Sequence, residues 1–220
     1  MAIRPYRKMM MKKFNPNKQH RRSIRLKGYD YSQLGAYFVT VCAHQKDNLF
    51  GRVINGSVEL NEYGQIVTRE WFKSSKVRHE IELDAFVLMP NHLHGIVWIV
   101  NPEASVDLMD EETVEANGHS PLPRGAAPKS LGAFIIGFKS TVTRQINQLR
   151  TKPGHPVWQR NYYEHIIRSE RALHAIREYI EQNPLRWEMD RYNPVATKRD
   201  PKAVDLWNLL KASANENPRP

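Results

Sequence analysis

The stretch Met89–Val100, MPNHLHGIVWIV, decides how the chain is read. Pro90-Asn91 reads as a tight connection, and after it comes an apolar run interrupted only by two histidines. In an extended strand residues i and i+2 point to the same face. His92 and His94 therefore stand side by side, while Leu93 faces the other way. The preceding IELDAFVLMP, Ile81 to Pro90, has the same strand character, so the two segments read as consecutive strands joined near Pro90-Asn91. Two neutral imidazoles side by side make half of a metal site.

Outward from that pair the pattern continues. GAYFVTVCAH, Gly35 to His44, is β-branched and aromatic and reads as a first buried strand. Phe50 to Leu60 carries Asn55-Gly56 between short apolar stretches, a hairpin signal. Asn61 caps a helix whose apolar residues Tyr63, Ile66, Val67 and Trp71 recur at helical spacing. A second helical stripe runs through Leu131, Phe134, Ile135, Phe138, Val142 and Ile146. YYEHIIR, Tyr162 to Arg168, reads as a strand. Ser169 then caps a helix that ends about Asn183, before Pro184, with Leu173, Ile176 and Ile180 inward.

This order of strands and helices predicts an α+β domain, an antiparallel sheet with helices on one face. The histidines would then lie on the other face. The domain spans 30–187. Residues 101–128 are acidic, Pro-rich and without periodicity, a surface excursion; 188–220 form a C-terminal tail with a short helix at AVDLWNLLK.

The charge is unevenly placed. Of 33 Lys and Arg, ten fall in residues 1–29, which contain no acid. The remaining 23 bases equal the 23 acids, so the whole formal surplus of +10 belongs to this N-terminal arm. A neutral body with one dense cationic arm suits a polyanion, and nucleic acid is the expected partner. No apolar run approaches the roughly 20 residues needed to span a bilayer. The single cysteine, Cys42, excludes an internal disulfide framework and a multi-cysteine zinc site. With no secretory apolar core near the N-terminus, a reducing cytoplasmic location is expected.

A catalytic metal site needs a third ligand besides two histidines. Tyr179 and Asn183 lie four residues apart on the last helix and share a face. Asn183 offers a hard carbonyl oxygen of the kind Mg²⁺ or Mn²⁺ accepts, and Tyr179 offers a phenol. A phenol beside a metal-bound phosphodiester suggests phosphoryl transfer through a covalent phosphotyrosine. Other readings of the same residues stand beside this one. His-x-His on an apolar strand also arises structurally, Tyr179 suits a half-buried helix position, and Asn183 suits a helix end. Tyr162 and Tyr163 compete for the nucleophile's role, and His165 reads as a supporting residue or core filler.

The sequence resembles a known family in three segments. MPNHLHGIVWIV resembles the His-hydrophobic-His (HUH) strand of single-tyrosine transposases. VWQRNYYEHIIRSERALHAIREYIEQNP, Val157 to Pro184, resembles the segment bearing the nucleophile in REP-associated tyrosine transposases and their insertion-sequence relatives. GAYFVTVCAHQKDNLFG, Gly35 to Gly51, is also similar. The likeness spans roughly residues 20–190 without the acidic excursion. It implies a ferredoxin-like (RRM-like) sheet with the catalytic helix near the C-terminus. It implies further that His92 and His94 bind a divalent metal, Mg²⁺ or Mn²⁺. Tyr179 would attack single-stranded DNA and become joined to the 5′ phosphate, leaving a free 3′ hydroxyl. An amide four residues after the tyrosine, commonly Gln in relatives, completes the metal site; here the position is Asn183, with Gln182 next to it. Hairpin-forming repeats are the implied substrate, and the protein a monomer or homodimer. Arg21, Arg22, Arg25, Lys27, Lys139, Arg144 and Arg168 are the expected DNA contacts. A non-catalytic nucleic-acid-binding regulator on the same sheet is the alternative. A small-molecule metal hydrolase would leave the basic arm idle.

Overall fold

The computed structural model describes residues 29–101 and 126–215. Arg21, Arg22, Arg25 and Lys27 of the basic arm, and nearly all of the acidic excursion, lie outside the described residues.

In chain order the elements are β1 (Gly35–Cys42), β2 (Gly51–Ile54), β3 (Ser57–Leu60), α1 (Glu62–Val77), β4 (Ile81–Met89), β5 (His92–Ile99), α2 (Leu131–Leu149), β6 (Tyr163–Ile167), α3 (Glu170–Gln182) and α4 (Pro201–Asn215). β2 and β3 form a separate hairpin. Its turn residues Asn55 and Gly56 both have positive φ, 51° and 73°, the conformation for which Asn-Gly is suited. The main sheet runs β4-β5-β1-β6 with antiparallel neighbours throughout. Its four strands, numbered as they occur, lie in the order second, third, first, fourth, which is the ferredoxin-like arrangement.

α1 and α3 begin at the expected capping residues, and the structure adds a third cap at Ser130 of α2. Asn61 accepts from Gly64 N, Ser130 from Ala133 N and Ser169 from Ala172 N, satisfying amides that would otherwise have no intrahelical partner. α1 and α2 cover one face of the sheet, against Tyr37, Val39, Val41, Leu93 and Val97. Trp71 centres this layer, wholly buried, with its ring 5.0–5.5 Å from those of Phe86, Phe134 and Phe138. Gly95 makes room for it: a Cβ there would lie 2.5 Å from the indole.

α3 and α4 lie against the opposite face, on Ala36, Phe38 and Ile96, through Leu173, Ile176 and Ile180 of α3 and Leu206 and Leu210 of α4. Both faces of the sheet are therefore covered, which accounts for the nearly unbroken apolar character of β1 and β5. Arg177 fixes α3 to the sheet edge by a two-pronged contact with Asp84 of β4, 2.6 Å at its shortest. That hydrogen-bonding guanidinium is the main reason the Asp84 carboxyl titrates below its usual range. The expected tail is part of this layer: it supplies α4 and the segment bearing Asp190 and Tyr192. No helix among the described residues is long and apolar enough to cross a membrane.

Candidate active site

Sheet register places the site. His94 lies opposite Thr40 on β1, and Thr40 lies opposite Tyr163 on β6, so the three share a row across the sheet. His92 lies opposite Cys42 one step along. The two imidazoles are wholly buried, with their Nε2 atoms 3.1 Å apart.

The tautomer of His92 is set by its neighbour. Asn91 donates its side-chain N–H groups to the carbonyls of Lys46 (3.0 Å) and Tyr192 (2.8 Å), which fixes the amide's orientation. Its Oδ1 can only accept, and it sits 2.9 Å from His92 Nδ1. His92 therefore carries its proton on Nδ1 and turns the Nε2 lone pair toward His94. His94 Nδ1 lies 2.8 Å from the Thr40 hydroxyl, which can donate or accept. Two lone pairs facing across 3.1 Å require a proton or a cation between them. Thr40 allows either. If it accepts from Nδ1, both Nε2 atoms are free for a metal, the orientation that outer hydrogen bonds impose on ligating histidines.

The segment after α3 brings a carboxylate. Asp190 Oδ2 stands 3.8 Å from His92 Nε2, and one ligand atom from each of His92, His94 and Asp190 falls within 4.8 Å of the others. Asp190 Oδ1 accepts from Tyr192 N at 2.6 Å. Burial pushes the Asp190 carboxyl up, and burial pulls both histidines down, His94 to about 3. Two neutral imidazoles beside a desolvated carboxylate are a fitting donor set for one divalent cation.

Tyr179 completes the cluster. Its hydroxyl lies 3.3 Å from His94 Nε2, and only 8% of the residue is exposed. Burial, then Asp190 and Tyr192, raise its pKa above the ordinary phenol range, and a hydrogen bond from Asn183 works against them. The Asn183 amide also supports Asp190. Its Oδ1 is buried without a hydrogen-bond partner, an acceptor in want of a donor or ion.

The structure thus brings together His92, His94, Tyr179 and Asn183. Gln182 is turned aside, accepting from Arg186 and donating to Glu178. Tyr163 shares the histidines' face, whereas Tyr162 packs into the α1–α2 core. His165 and Arg168 line a cavity between β6 and α4. Lys139 and Arg144 line another beside α2, where Lys139 Nζ donates to the carbonyls of Gln159 and Arg160, and burial lowers its pKa to about 8. Asp190 is the residue that spacing did not reveal. It comes after a 3₁₀ turn (Pro184–Met189) in a Pro-punctuated stretch with no periodicity.

No family model matches the sequence. A protein of Haemophilus influenzae described as uncharacterized is 39% identical over 189 residues, covering 83% of this chain and 98% of its own length. The chain belongs to that protein's family. Among solved structures, a REP-associated tyrosine transposase bound to a REP hairpin matches with a TM-score of 0.48 at 18% identity, over 74% of this chain and 73% of the other. A Deinococcus radiodurans R1 protein described as a transposase matches with a TM-score of 0.39 at 16% identity, over 71% and 96%.

Proposed function

We propose that the protein nicks and joins single-stranded DNA as an HUH tyrosine transposase, through a 5′-phosphotyrosine intermediate on hairpin-forming DNA. The observation that carries this reading is the 3.3 Å approach of the Tyr179 hydroxyl to His94 Nε2, beside paired imidazoles and a buried carboxylate. The sequence resemblance to HUH strands and tyrosine helices supports it independently.

A divalent ion, Mg²⁺ or Mn²⁺, held by His92, His94 and Asp190 would polarise the scissile phosphodiester. The protein's own groups do the remainder. Asn91 holds His92 in its ligating tautomer, and Thr40, accepting from His94 Nδ1, would hold His94 in its own. Asn183 orients the phenol and the carboxylate. Tyr179 Oη forms a bond to phosphorus, the P–O3′ bond breaks, the phenolic proton is released, and the departing 3′ oxygen takes up a proton. Lys139, Arg144 and Arg168, with the basic arm, contact phosphates. Because the rings of Trp187 and Tyr192 lie over His92, at 6.2 and 4.5 Å, a phosphodiester reaches the site only when the segment around Asp190 shifts.

The test is incubation of a labelled hairpin oligonucleotide, taken from repeats flanking the coding region, with Mg²⁺ or Mn²⁺. A covalent protein–DNA adduct that EDTA prevents and Tyr179→Phe abolishes is expected. The full burial of the histidines favours one other reading, a DNA-binding regulator without turnover. Binding that persists in EDTA, with no cleavage under either ion, would select it.

A further inference from the structure

A cavity of about 900 Å³ opens between the edge strand β6 and α4, and Asp190 of the metal cluster forms part of its wall. Its lining combines three features. Tyr163 and Trp207 present aromatic rings, edge to face with centroids 4.9 Å apart. Arg168, Arg199 and Lys211 place cations around it. Two buried ring nitrogens, His165 Nε2 and Trp207 Nε1, have no hydrogen-bond partner. Unpaired buried donors and acceptors are rare in folded proteins and cost stability unless a ligand answers them.

We infer that this cavity is a nucleobase pocket for a nucleotide next to the scissile phosphate, and that His165 and Trp207 determine which base it takes. The inference rests on the proposed action on single-stranded DNA. Aromatic surface with surrounding cations is the general means of holding single-stranded nucleic acid. Neither supplies a choice of base. The unpaired indole N–H needs an acceptor, and the neutral imidazole needs a partner of the opposite kind; the edges of bases offer donors and acceptors together. Continuity with Asp190 places the bound nucleotide beside the cluster. His165 is 9% exposed and burial lowers its pKa to about 4, so it reads as a neutral ring.

The experiment uses the full chain and a hairpin oligonucleotide with a single-stranded flank, in which 5-iodouracil replaces one nucleotide at a time. After irradiation in EDTA, cross-linked peptides are identified by mass spectrometry. One flank position should cross-link to Tyr163, His165 or Trp207. Cross-links confined to other residues at every position would overturn the pocket. In a second arm, binding is measured for all four bases at that position. His165→Phe should flatten the preference, a change of about five- to hundredfold for the favoured base. Arg168→Gln should weaken all four bases alike. A preference undiminished in His165→Phe removes His165 from base choice, and a variant that fails to fold leaves the wild-type cross-link to decide. A pocket cross-link without any metal-dependent adduct would uphold the pocket and refute strand transfer, so the two readings fail separately.

Discussion

Asp190→Asn should move stability in opposite directions with and without metal. The Asp190 carboxylate is 5% exposed, 3.8 Å from an uncharged imidazole, and supported by the Tyr192 amide and Asn183. Without an ion it is a desolvated charge with incomplete compensation. The isosteric amide can keep the bond from Tyr192 N while removing that charge. Relief of about 1–3 kcal/mol is expected, because a hydrogen-bonded buried carboxylate loses less than the several kcal/mol of an unassisted one. At about 2–4 °C per kcal/mol for a chain of this size, melting in EDTA should rise by roughly 2–12 °C. In Mn²⁺ the order reverses. An ion present at 100 times its Kd stabilises the wild type by about 2.7 kcal/mol, or roughly 5–11 °C. The variant, lacking the anionic ligand, should show little of that shift. Differential scanning fluorimetry across a Mn²⁺ titration measures both quantities. A variant that melts lower than wild type in EDTA, yet gains as much from Mn²⁺, would refute the assignment of Asp190.

Three other outcomes are expected from the same geometry. Thr40→Val removes the hydrogen-bond partner of His94 Nδ1, which can accept from that nitrogen when Nε2 ligates, and Mn²⁺ affinity by calorimetry should fall about 10–100-fold, the usual effect of losing such support; unchanged affinity would separate Thr40 from the site. His165 titrates near 4 when folded and near 6.5 when unfolded, so the unfolded chain takes up the proton first as pH falls. Stability is complete above pH 6.5 and drops toward pH 4; His165 alone should cost about 2 kcal/mol between pH 7 and pH 5, read as the difference between wild type and His165→Phe in urea unfolding. Gly95→Ala puts a methyl 2.5 Å from an indole already packed by three phenyl rings, and should cost about 1–3 kcal/mol in the same assay.

What the sequence disclosed, and what it withheld, divides along physical lines. Alternation and helical spacing mark positions whose environment is set locally. The strands around His92 and His94, the caps Asn61 and Ser169, and the inward stripe of α2 all appear where expected. The paired histidines and Tyr179 belong to this class, since strand and helix periods decide which way they face. Asp190 does not. It reaches the histidines only because the tail folds back, with Asn91 holding the Tyr192 carbonyl across 101 residues. Asn183 lies between these cases: its position on the helix was legible, and its role beside a carboxylate was not. The second covering layer was not read from the sequence, which led to helices on one face. HGIVWIV is too apolar for a sheet with one wet face, yet only the fold shows α4 beside α3 there.

Strand transfer by this protein requires Tyr179 to be the group that becomes joined to DNA. Protease digestion of the trapped adduct, with mass spectrometry of the nucleotide-bearing peptide, tests this most directly. The modified residue should be Tyr179, within the α3 sequence EYIEQ, and formation of the adduct should require Mg²⁺ or Mn²⁺. Nucleotide found on Tyr162 or Tyr163, or an adduct that forms equally well in EDTA, would contradict it.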